Sequence, residues 1–264
     1  MPRYIKRIWA GDVYEAKEYF SPRERGMSCE RAAKENLSSE EMAEYNCIEA
    51  RRKCARMVNA NFRQGDLFLT LTFRERVDVE NALRLFRNFI SRLKRLRKRK
   101  GYSELKYLYV VESKRKREHI HLLINKMDIS MKELSEVWGL GRVMVSILEP
   151  GGDYTGLCFR NIMASLDYTG LAYYITKENY KEYGKRWSGS RNLEKPKVKV
   201  TLVSEEKKTK RLRVPKNYKV IEEVQYYSEI TGHTRYVRAV KIGGEDYGNG
   251  KEGEPHMEHP DGEG

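Results

Sequence analysis

The order of patterns along this chain predicts an α+β fold. A strand and a helix are followed by a two-stranded hairpin, a short helix, a strand and a further helix, and then by a strand-patterned appendage. Three observations carry this reading. Leu67 to Phe73 is a β-favouring run that follows a break at Gly65 and Asp66. Val79, Ala82, Leu83, Phe86, Phe89, Ile90 and Leu93 recur at helical period. Tyr107 to Glu112 and His119 to Ile124 are two β-branched and aromatic runs separated by a short, charged stretch.

Residues 1 to about 36 are mixed and aromatic, broken at Pro22 and Gly26, and are expected to be irregular. Ser38 and Glu41 have capping-box spacing and predict a helix start. Met42, Tyr45, Ile48, Ala55 and Val58 give that helix its apolar stripe, and Arg51, Arg52, Lys53 and Arg56 a solvated basic face. Together, 1–60 form an N-terminal irregular segment and a basic helix. Leu67 to Phe73 reads as a central strand. Asp78 can cap the next helix, which runs into Lys94, Arg95, Arg97, Lys98, Arg99 and Lys100 before Gly101. Such charge density suits phosphate contacts, although basic residues also suit a helix C-terminus electrostatically.

After the hairpin, Ser130 and Glu133 can cap a short helix that reaches Trp138 and ends at Gly139 and Gly141; Arg142 to Leu148 is a strand. A further helix is expected from near Asp167 to Gly184, with Tyr174 and Lys177 on one face and Tyr173 rotated off it. The polar loop that follows carries Lys185, Arg186 and Arg191 as candidate nucleic-acid contacts. The strand-like alternation of 197–242 predicts a small β appendage. The polar 243–264 predicts a disordered tail, which discounts His256 and His259 as ligands.

The hairpin holds the chemistry. Strand residues alternate between faces, so His119 and His121 point one way and Ile120 and Leu122 the other. Symmetric closure over Ser113 to Glu118 puts Glu112 opposite His119 and Val110 opposite His121. Directly opposed residues share a face. Two imidazoles and a carboxylate then converge as a candidate metal site of Glu112, His119 and His121. Two satisfied polar residues on a half-wet strand are the plain alternative, and the trio by itself would also suit zinc or non-haem iron.

Composition narrows the partner. The 264 residues carry 52 Lys and Arg against 38 Asp and Glu, a formal net charge of +14, together with 18 tyrosines. Cations for phosphates and rings for unpaired bases point to a nucleic acid. No apolar run approaches a membrane span, and the N-terminus lacks a signal peptide's apolar core, so an intracellular, cytoplasmic setting without membrane contact is expected. Cys29, Cys47, Cys54 and Cys158 lack metal-finger spacing and read as reduced thiols. No Gly-rich phosphate loop ending in Lys-Ser/Thr occurs, so helicase activity is not expected of these residues.

Three short motifs in order now resemble the HUH endonucleases of the rolling-circle replication initiator class. They are the strand Phe68 to Phe73, the His119/His121 pair with upstream Glu112, and Leu171, Tyr174, Ile175 and Lys177 at hydrophobic-x-x-Tyr-hydrophobic-x-Lys spacing. The resemblance covers Leu67 to Lys177 and extends toward Pro196; 61–196 is the corresponding endonuclease domain. It implies a central antiparallel sheet of RRM-like, ferredoxin-like palm type, flanked by helices and carrying the His pair. It implies that Tyr174, assisted by Lys177, attacks a phosphodiester of single-stranded origin DNA. A 5′-phosphotyrosine link and a 3′-OH primer result, with Mg²⁺ or Mn²⁺ at Glu112, His119 and His121. It also implies a host, prokaryotic by this class, that supplies helicase and polymerase. Transposases and relaxases share this chemistry. A non-catalytic nucleic-acid-binding module is the alternative outside enzymology.

Overall fold

A computed structural model describes residues 2–21, 40–114, 117–149, 167–177, 186–203, 211–228 and 232–242. In chain order the elements are β1 (Arg3–Ala10), β2 (Val13–Phe20), α1 (Glu40–Asn61), β3 (Leu67–Thr72), α2 (Val79–Arg99), β4 (Tyr107–Lys114) and β5 (Arg117–Ile124). There follow α3 (Met131–Trp138), β6 (Val143–Ile147), α4 (Thr169–Ile175), β7 (Ser188–Gly189), β8 (Lys197–Val203), β9 (Tyr218–Ser228) and β10 (Gly232–Lys241). The fold is α+β, with two five-stranded antiparallel sheets.

The first sheet has the order β6-β3-β5-β4-β7 and is the expected central sheet. Alternation along its strands gives each face its own core. On one face Leu69, Leu71, Ile120, Leu122 and Ile124 pack against Phe86, Phe89, Ile90 and Leu93 of α2 and Trp138 of α3. On the other, Phe68, Leu108, Val110 and Leu123 pack against Cys54, Ala55, Val58 and Phe62 of the α1 region and Leu171, Ala172 and Ile175 of α4. The caps expected from sequence are present. Asp78 accepts the Asn81 N–H, Ser130 and Glu133 form a reciprocal capping box, and Gly139 closes α3 in the left-handed conformation at φ 68°. Gly141 is required for another reason. A Cβ there would lie 2.1 Å from the carbonyl oxygen of Thr72, so only glycine lets the α3–β6 connection lie against the end of β3.

The second sheet, β8-β1-β2-β10-β9, corrects the expectation of an irregular N-terminus. Residues 3–20 are a hairpin, and the strands after Pro196 join it rather than standing alone as an appendage. The alternation of β2 is obscured because Glu15 and Glu18 are buried. Their charges are met by Arg56 of α1 at 2.6 Å and Arg3 of β1 at 3.2 Å. Helix α1 thus packs on both sheets. Arg52 and Arg56, expected on a solvated face, contact Tyr236 and Glu15 respectively. Ile48, expected in the apolar stripe, is exposed. The Ser38–Glu41 capping box and the tail 243–264 lie outside the described residues. No described helix is long and apolar enough to cross a membrane.

Candidate active site

The β4–β5 register is Glu112 with His119 and Val110 with His121, as symmetric closure requires. The three polar side chains meet. Glu112 Oε2 lies 3.0 Å from His119 Nε2 and 2.7 Å from His121 Nε2, and one donor atom from each residue falls within 4.8 Å of the others. Glu112 and His121 are buried, at 5% and 4% exposure, while His119 is half-buried. Two features fix His121. Its ring stacks on Phe68 at 5.6 Å, and its Nδ1 lies 3.2 Å from Thr70 Oγ1 on the neighbouring strand. An Nδ1–H donated to Thr70 leaves the Nε2 lone pair aimed at the Glu112 oxygen, which is also an acceptor. Two acceptors at that distance need a proton or a cation between them. The donor set therefore fits a divalent ion, which these three residues would hold.

Helix α4 brings the tyrosine. At seven residues it is too short to be stable by itself, so its neighbours fix it. Asp167 accepts the Thr169 N–H at 3.0 Å and the Arg238 guanidinium at 2.6 Å. Asn59 of α1 accepts the Tyr168 N–H and donates to Thr169 Oγ1. Leu171, Ala172 and Ile175 are buried beneath, which turns Tyr174 toward the sheet's polar end. The Tyr174 and His121 rings lie edge to face, 5.8 Å between centroids, and Lys177 Nζ lies 4.3 Å from the Tyr174 ring centre. Tyr173 points elsewhere. Arg51 covers its ring at 4.9 Å and donates to its carbonyl, and burial raises its hydroxyl's pKa above the ordinary value. The helix ends at Ile175, short of the expected Gly184, with the Thr176 hydroxyl donating back to Ala172 O. Residues 178–185 lie outside the described residues, Lys185 among them.

The expected basic contacts divide. Lys94, Arg95, Lys98 and Arg99 are exposed. Arg97 is 2% exposed, with its guanidinium donating to the carbonyls of Ser103, Asn125 and Lys126, and so is corrected from a DNA contact to a structural residue. It lies four residues after Leu93 and seven after Ile90, on the stripe that α2 buries. Arg97→Ala should cost roughly 2–4 kcal/mol in urea denaturation, because three carbonyls lose a charged donor. Arg95→Ala should cost under about 0.5 kcal/mol. The basic block also sits away from the triad. It lies by Asn125, near the Tyr107 end of the sheet, on the face opposite the histidines and roughly 17 Å along β4 from Glu112. In the following loop Arg191 is exposed, but Arg186 contacts Cys47 Sγ, Trp187 donates to Ala50 O and β7 extends the sheet at Leu108 and Tyr109. Part of this expected nucleic-acid loop is therefore a structural strap.

Residues 66–157 match a protein family described as replication-associated protein ORF2/G2P. The matched stretch contains Glu112, His119 and His121 and ends before Tyr174. Neither the curated proteins nor the solved structures gave a match.

Proposed function

We propose that this chain, whose residues 66–157 match a replication-associated protein family, is a rolling-circle replication initiator that nicks single-stranded origin DNA with Tyr174 as nucleophile. The observation that carries the reading is the juxtaposition of the Tyr174 ring, 5.8 Å from His121, with the cluster in which Glu112 joins both imidazoles. Nothing in a merely structural hairpin requires a tyrosine there.

Tyr174 Oη attacks the phosphorus of a phosphodiester. The Oη–P bond forms, the bond from phosphorus to the 3′ oxygen breaks, and that oxygen takes up a proton to become the 3′-OH primer. A phenol of pKa about 10 is a weak nucleophile at neutral pH. Lys177, beside the ring, stabilises the phenolate and attracts the phosphate. The buried anchors of α4 hold the hydroxyl in place, which spares the reaction the entropy of orientation. Glu112, His119 and His121 would hold a divalent ion, Mg²⁺ or Mn²⁺, which would supply charge stabilisation to the phosphate. Helicase and polymerase come from the host in this reading.

The experiment is incubation with single-stranded origin DNA and Mn²⁺, followed by denaturing electrophoresis. A covalent protein–DNA band that requires the cation supports nicking, and its absence on every origin strand leaves a binding module. Exposed Lys94, Arg95, Lys98 and Arg99 are proposed to contact the same DNA outside the reaction centre. Changing all four to Gln should lower the slope of log affinity against log salt by roughly 3 units, at about 0.7 per lost contact to a single strand. An unchanged slope would reduce the block to a solvated helix end.

A further inference from the structure

The second sheet supplies Arg238 to the anchoring of α4 but no group to the proposed reaction, and it is the more basic of the two. Its described residues and the loop before β9 carry thirteen Lys and Arg against five Asp and Glu. Part of this charge lines a groove of about 660 Å³ where the turn after β1 meets the C-terminal end of α1. Trp9, Gly11, Ala60, Arg63, Lys195 and Lys197 are among its walls, with Val198 and Lys199 continuing along β8.

Strand β8 is an edge strand, and its register puts Lys197 opposite Trp9 and Lys199 opposite Arg7. Opposed residues share a face, so both lysines stand with Arg7 and Trp9 on one surface. Lys197 and Lys199 are two residues apart, hence about 6.7 Å, and repeat along the edge as charges along an extended strand do. Lys195, Lys197 and Lys199 are exposed, and no carboxylate among the described residues pairs with them. The groove's Glu194 is already paired with Lys106 at 2.7 Å. Trp9 is half-buried, with Tyr14 on one flank at 5.5 Å.

We propose that this groove is a second nucleic-acid site that takes unpaired DNA, with Lys195, Lys197 and Lys199 on successive phosphates and Trp9 stacked on a base. The proposal rests on the reading of the chain as a DNA-processing protein and gives the second sheet its role. Helix α1 and the histidines lie on the same face of the first sheet, and the groove is at the end of α1 near Tyr107, while the triad is at the Glu112 end. A strand reaching both would be held at the groove while its scissile phosphate meets Tyr174.

The test uses the full chain, a long labelled oligothymidylate and a trinucleotide, with binding followed by anisotropy across a salt series. Lys195→Gln, Lys197→Gln and Lys199→Gln together should lower the salt slope for the long strand by about 2 units and leave trinucleotide binding unchanged. Trp9→Leu should weaken the long strand roughly fivefold to a hundredfold. Stacking also quenches tryptophan emission, so the long strand should quench wild-type protein and quench the Trp9→Phe variant by less than half as much. An unchanged slope, equal quenching in the two proteins, or a duplex that outcompetes the single strand overturns the proposal. Wild-type protein that binds the strand but forms no covalent adduct refutes the nicking reading alone. A lysine variant that matches wild type in binding while both form the adduct refutes the groove alone.

Discussion

Tyr174→Phe should eliminate both strand cleavage and the covalent protein–DNA band, while affinity for single-stranded DNA stays within about twofold of wild type. The substitution removes one oxygen and keeps the ring that meets His121 and Lys177, so the packing of α4 is undisturbed. Loss of a covalent nucleophile leaves no other group to make the bond, and the effect on the adduct is complete rather than partial. Tyr173→Phe is the control. That ring is held by Arg51 away from the triad, and burial raises its hydroxyl's pKa above the ordinary value, so cleavage should persist at near wild-type rate. Gel-based cleavage and filter-binding assays on the two variants measure both quantities. Cleavage retained by Tyr174→Phe would remove this residue as the nucleophile.

His121→Ala should abolish cation-dependent cleavage and lower Mn²⁺ affinity by at least about 100-fold, since changes even in the shell behind a metal's ligands cost 10- to 100-fold. His121 is the best-held member of the cluster, buried between Phe68, Thr70 and Glu112. Its removal leaves the Glu112 carboxylate beside the half-buried His119 alone. Thermal denaturation separates lost chemistry from lost fold. A ligand at 100 times its dissociation constant stabilises a protein by about 2.7 kcal/mol, so Mn²⁺ should raise the melting temperature of wild type and leave His121→Ala unmoved. An equal rise in both would place the ion elsewhere.

The candidate site was legible in sequence because its geometry depends on local rules. Strand alternation and the count of residues across the turn fix the register of Glu112, His119 and His121, and no distant contact can alter which face they share. The separation of Tyr173 from Tyr174 likewise follows from helical geometry, even though α4 is shorter than its sequence pattern. What was not legible depends on partners far away in the chain. The N-terminal hairpin puts Glu15 and Glu18 on buried positions, which reads as a broken pattern until Arg56 and Arg3 are seen beside them. Gly11 and Asp12, between two strand-length runs, were the signal that could have found it, and Gly11 has the positive φ of 62° that such a turn uses. Arg97 is an instructive case. Its place in a basic run suggests a surface, whereas its spacing from Ile90 and Leu93 puts it on the buried stripe, and the spacing prevailed. The joining of 197–242 to residues 3–20 had no sequence signal, because strand pairing across that distance is decided by packing.

The central claim is that the hydroxyl of Tyr174 becomes joined to DNA. Its most direct test is proteolysis of the covalent complex formed with origin DNA and Mn²⁺, followed by mass spectrometry of the peptide that carries the nucleotide. The account predicts one modified peptide, with a 5′-linked nucleotide on Tyr174 and a free 3′-OH on the other DNA fragment. A nucleotide carried on Tyr173, Tyr180 or Tyr183, or a cleaved strand with no protein attached, would contradict it.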